Sequence, residues 1–158
     1  VARQSPPFAR IRQAASARKS KRWWSPMTRR DADDLSIRYH ASLAALRNRQ
    51  GTHEHLRTLL VMIVLTGLIG DAYVSPIRPE VLIAAEQAII AAIDHGQDST
   101  EWALDADAVE LCAAILTHHD HQLRTAPVAA INSAKERLDR LIADQSYHSV
   151  QPIWQQRK

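Results

Sequence analysis

The sequence predicts an all-α protein, a five-helix antiparallel bundle led by a disordered basic N-terminal arm. Three observations carry that expectation. The chain is 46% hydrophobic yet only 5% aromatic, with four glycines in 158 residues and much Ala and Leu, a composition that suits helices packed on helices. Apolar residues recur at steps of three and four in successive segments, the spacing of one helix face. One stretch, Leu59 to Gly70 (LLVMIVLTGLIG), runs on without a charge and reads as the buried centre. At about 1.5 Å per residue its twelve residues cover roughly 18 Å, short of the roughly 30 Å of a bilayer core, so the reading is a core helix and no membrane contact.

The elements follow in order. Thr28 with Asp31 three residues on has the form of a helix start, and Leu35, Tyr39, Leu43 and Leu46 form an apolar stripe opposite Arg38, Ser42 and Arg47, ended by Gly51. A second helix runs from about His53 to Ile69. Two prolines in SPIRP (75–79) break the chain. A third helix, from about Pro79 to His95, opens on proline and is expected to close at Gly96. Trp102 and Leu104 are expected to tuck under the bundle before a fourth helix starts near Asp105, with Ala108, Cys112, Ile115, Leu116, His119 and Leu123 on one face. Pro127 restarts the chain into a fifth helix with Val128, Ile131, Leu138, Leu141 and Ile142. The domain is expected over 27–145, with a frayed tail over 146–158.

Charge is unevenly placed. Residues 1–30 hold nine of the twenty basic groups and no acid, which leaves eleven basic against all seventeen acidic groups in residues 31–158, a balance of −6. The sequence pI of about 9.4 therefore belongs to the arm. Residues 1–26 lack helical periodicity and are expected to be disordered. Three readings of them compete. The native protein starts at Met27 and the arm is upstream sequence; or Arg18, Lys19, Lys21, Arg22, Trp23 and Trp24 bind nucleic acid through phosphate contacts and base stacking; or the arm is a solvated tail or a leader. A helix-turn-helix drawn through the fourth and fifth helices offers Asn132, Lys135 and Arg137 beside Glu136 and Asp139, a mixed face that argues against groove binding.

The segment richest in chemistry is THHDHQ (117–122). A His-Asp dipeptide on a helix resembles the signature of the metal-dependent phosphohydrolases called HD domains, which implies a divalent ion held by His119 and Asp120, with His95 and Asp139 or Asp144 as the available further ligands. His118 and His121 are a second pair with metal-ligand spacing. The other reading makes His119 a core histidine satisfied by a neighbouring helix, with His118, Asp120 and His121 in solvent. Tyr39, on the apolar stripe, either buries its ring and sends its hydroxyl to solvent, the favoured reading, or needs a partner for a buried hydroxyl, which an imidazole or carboxylate on the fourth helix could supply. The candidate polar site is thus Tyr39, His40, His119, Asp120 and Gln122. Four glycines allow no P-loop or dinucleotide fingerprint, CxxC pairs are absent, and the lone Cys112 reads as a buried hydrophobe in a reducing compartment. No cofactor is expected.

The segments IRYHASLAALRNRQGTHEH (37–55) and EWALDADAVELCAAILTHHDHQL (101–123) resemble a group of short helical proteins of beta-proteobacterial genomes, phages and plasmids. Tyr39, His40, Leu43, Leu46, Arg47 and Gly51, then Trp102 to Asp105, Asp107, His119, Asp120, Gln122 and Leu123, match its YHxxLxxLR…G and WALDxD…HDxQL pattern. The similarity covers roughly residues 30–125 and brings no activity with it. It implies a bacterial helical protein tied to mobile elements. The residues themselves, with no convergent set of acids, bases, ligands or phosphate loops and a bundle rich in Ala and Leu, add the expectation of a cytoplasmic protein that acts through an unidentified protein partner or a homodimer. The expected function is non-catalytic interaction or regulation; the alternatives are the HD-like phosphohydrolase and a nucleic-acid-binding arm.

Overall fold

The computed structural model describes residues 20–73 and 76–144. They are all-α: α1 (Arg29–Arg47), α2 (His53–Ala72), α3 (Pro79–Ser99), α4 (Ala106–Thr125) and α5 (Val128–Ala143), with a short helical turn at 20–23 ahead of them. Thr28 caps α1, its hydroxyl accepting the Asp31 N–H at 3.2 Å and donating to Asp31 Oδ2 at 2.7 Å. The α2 cap was not legible beforehand: the Thr52 N–H donates to His55 Nδ1 at 3.0 Å. Asp105 caps α4 by accepting the Ala108 N–H at 2.8 Å.

α2 is the hub, packed against α1, α3, α4 and α5. Leu56, Leu59, Met62, Ile63, Leu68 and Ile69 are fully buried along it, each such side chain contributing about 1.5–3 kcal/mol by leaving water. The helix is longer than the uncharged stretch within it. Its twenty residues, with charges confined to its ends, are long and apolar enough to cross a membrane by length and composition, but more than half of its apolar window is buried against the other helices. α1 and α4 run antiparallel: Asp33 meets Arg124 at 3.5 Å, and one to two turns on His40 meets Asp120 at 2.8 Å.

Four details depart from the sequence reading. First, Gly96 does not end α3. The buried positions Leu82, Ala85 and Ile89 continue at Gly96, two turns on, and the helix runs to Ser99 before Thr100 turns it off at φ 62°. Gly96 is a contact glycine: a Cβ there would lie 2.3 Å from Trp102 Cε3, so the indole packs directly on the helix backbone. Second, Ser42 belongs to the buried side of α1, its hydroxyl returned to the Arg38 carbonyl at 3.0 Å. Third, Ala134 and Leu138 are what α5 buries, while Ile142 is exposed.

Fourth, the expected disorder does not extend over 20–26. Ser25 donates its hydroxyl to the Lys21 carbonyl at 2.7 Å and accepts the Val128 N–H at 2.9 Å on its own carbonyl, beside an isolated antiparallel bridge between Pro26 and Pro127. The segment before Met27 thus satisfies a backbone donor at the first turn of α5. Arg18, Lys19 and the tail over 146–158 lie outside the described residues.

Candidate functional site

His119 is 1% exposed. The seven-residue repeat of α4 puts it there, since it stands one heptad after Cys112, which is itself buried. Facing it is Thr66, the hydroxyl within the apolar run of α2. Thr66 Oγ1 lies 2.7 Å from the Met62 carbonyl oxygen and 3.0 Å from His119 Nδ1. A hydroxyl has one proton and a carbonyl can only accept, so Thr66 donates to Met62 and His119 must donate from Nδ1. The neutral ring then carries no proton on Nε2, and that atom is buried with no hydrogen-bond partner among the described residues. Burial pushes the His119 pKa down to about 4, against the opposing pull of the Asp120 charge and the Gln122 side chain, with a further lowering from His118. At neutral pH the ring is uncharged.

Two more side chains close this core. Gln122, one turn further along α4, donates from Nε2 to the Thr66 carbonyl at 3.1 Å. Tyr39 of α1 sets its ring edge-on to the His119 imidazole, centroids 5.3 Å apart at 80°. Burial raises the Tyr39 hydroxyl pKa, with Arg38 pulling the other way.

Asp120 is the next residue, and about 100° of helical rotation sends it elsewhere. Its Oδ2 accepts from His40 Nε2 at 2.8 Å across α1, while Oδ1 is buried and has no hydrogen-bond partner among the described residues. The five residues nominated from the sequence therefore do gather at one α1–α4 junction, but in two layers: Tyr39, His119 and Gln122 face the core, and His40 and Asp120 tie the helices at its rim.

That division bears on the metal reading. His119 and Asp120 take separate partners and do not converge, and among the described residues no group of three or more His, Cys, Asp or Glu side chains could hold a metal ion. His95, Asp139 and Asp144 stay exposed away from α4, and His121 is exposed on α4 itself, whereas His118 is half-buried. Comparison with known proteins adds no identity to this geometry. No family model, curated protein or solved structure matches the chain.

Thr66 was missed because a threonine inside an apolar run reads as filler; the usable signal is that a fully buried hydroxyl must find a partner. Glu86 was missed as well. It is buried on α3 with Oε2 unpartnered, and burial raises its pKa. Cys112 is fully buried and its thiol is pushed up to about 12, which leaves it without nucleophilic character. A cavity of about 320 Å³ between the end of α2 and the start of α3 is lined by glycine, proline, Leu82, Ile77 and Asp71, whose carboxylate sits 3.6 Å from Arg137. Arg137, a residue of the imagined recognition helix, is thereby engaged with α2. Trp23 and Trp24, in contrast, are 47% and 70% exposed.

Proposed function

We propose that this chain is a non-catalytic interaction protein of the bacterial cytoplasm, an antiparallel helical bundle that works by holding a surface in place. The observation that supports this most is the use to which the His-Asp dipeptide is put. His119 is spent on Thr66 inside the core and Asp120 on His40 at the rim, so the residues best suited to acid-base or metal chemistry cross-brace three helices. A substrate could reach Nε2 of His119 only by parting α1, α2 and α4.

The test is a metal and turnover screen of the purified full chain. Elemental analysis should find no stoichiometric metal, and added Mn or Zn should leave the melting temperature unchanged. Phosphomonoesters and phosphodiesters should not be hydrolysed. Metal binding or turnover that disappears in both His119→Gln and Asp120→Asn would replace this reading with the phosphohydrolase one.

A further inference from the structure

We infer that the turn at 20–24, together with the start of α1, is a docking surface for single-stranded nucleic acid. This deepens the interaction reading above and rests on it.

Trp23 and Trp24 occupy consecutive positions of a helical turn, about 100° apart, so their indoles face different directions and cannot cover one another. The turn is closed by the Ser25 hydroxyl on the Lys21 carbonyl and by the Trp24 N–H on the Ser20 carbonyl at 3.3 Å. It is fastened to the body through Ser25 and Val128. Trp24 is thus held largely in solvent and Trp23 half-covered on an anchored backbone, which lowers the ordering cost of binding.

The cations complete the pattern. Lys21 and Arg22 precede the indoles and Arg29 and Arg30 follow them, all exposed. Among the described residues Lys21, Arg22 and Arg30 make no ion pair, and Arg29 makes only a 3.7 Å contact to Asp33 from a side chain 93% exposed. Of the acids that follow, Asp31 bonds Thr28 and Asp33 meets Arg124 as well as Arg29, while Asp34 is exposed on the same first turns of α1 and leaves Lys21 and Arg22 as the cations furthest along the chain from acidic groups. Phosphates spaced along a strand suit the cations, and unpaired bases offer the flat faces that indoles stack upon. A duplex hides those faces within its own stack. A bilayer is the poorer fit, because an interfacial helix binds through a continuous apolar face several turns long, and the helical stretch at 20–23 is a single turn.

The experiment uses the full chain with fluorescein-labelled oligothymidylate, oligouridylate and a duplex, read by anisotropy, alongside vesicles of phosphatidylcholine with phosphatidylserine. Both single strands should bind and quench tryptophan emission, with affinity falling steeply between about 50 and 200 mM salt. The paired change Trp23→Ala with Trp24→Ala should weaken binding about tenfold or more, and Trp24→Ala alone, at the more exposed indole, should weaken it while leaving the melting temperature unchanged. Lys21→Glu with Arg22→Glu should weaken it and flatten the salt dependence. The proposal is overturned by absent binding at low salt, by equal affinity of the tryptophan variant, or by preference for duplex or vesicles. Any of these with a blank metal and turnover screen retires the partner and leaves the interaction reading standing; turnover in that screen retires the interaction reading itself.

Discussion

Thr66 Oγ1 and His119 Nδ1 meet at 3.0 Å although 53 positions separate them in the chain, and the Met62 carbonyl dictates which of the two donates. Thr66→Val keeps the shape of the side chain and removes the acceptor, so the His119 N–H is left buried and unpaired. The expected cost is about 1–3 kcal/mol. Urea denaturation of variant and wild type measures it, and coincident midpoints would show that the ring finds another partner.

The same ring sets a pH dependence. Its folded pKa, about 4, lies below the ordinary 6.5. Between those values the unfolded chain binds a proton that the folded chain refuses, so stability from this group rises with pH across the window, is complete above 6.5 and is gone below 4. The swing is on the order of 3 kcal/mol. Melting temperatures across pH 4 to 7 should show it in the wild type, and His119→Gln should lose this component; an unchanged slope in the variant would assign the effect to another group.

At Gly96 the usual rule reverses. In an open helix Gly→Ala stabilises by about 1 kcal/mol. Here the new methyl would meet the Trp102 ring, with Cε3 at 2.3 Å and Cζ3 at 2.6 Å from the Cβ position. Gly96→Ala should destabilise by about 1–3 kcal/mol, and thermal denaturation gives the sign directly. A stabilised variant would mean that Trp102 swings aside without cost.

Glu86 offers the opposite outcome, a substitution that helps. Burial raises its pKa above the ordinary 4.5 and leaves Oε2 unpartnered. A raised carboxyl pKa means that stability from this group is lost as pH climbs through the folded value. Glu86→Gln removes the ionisable group and keeps the volume. Its melting temperature should exceed that of the wild type at pH 8, with the gap narrowing toward pH 4; a lower melting temperature at pH 8 would show that the carboxylate has a partner worth more than its burial costs.

Much of the helical layout was legible from spacing. The α4 stripe, from Ala108 to Leu123, falls where periodicity puts it, and Thr28 and Asp105 cap the helices they precede. Ends and exceptions were less readable. Gly96 looks like a stop signal in one dimension, and only the Trp102 indole lying against it shows why it has no side chain. Tyr39, His40, His119, Asp120 and Gln122 could be nominated from type and face. That Asp120 ties to His40 instead of standing in solvent could not be read, because the contact depends on how α1 and α4 are staggered. Thr66 needed the same relation between α2 and α4, and residues 20–26 needed a partner a hundred positions away.

That last contact also sets a timetable. The Val128 N–H that Ser25 accepts belongs to α5, so on a ribosome adding about 5–20 residues per second the turn at 20–24 waits roughly 5–20 s for its anchor to be made. Until then Trp23 and Trp24 travel without that anchor beside an unfinished core, open to any nascent-chain handler that recognises aromatic residues.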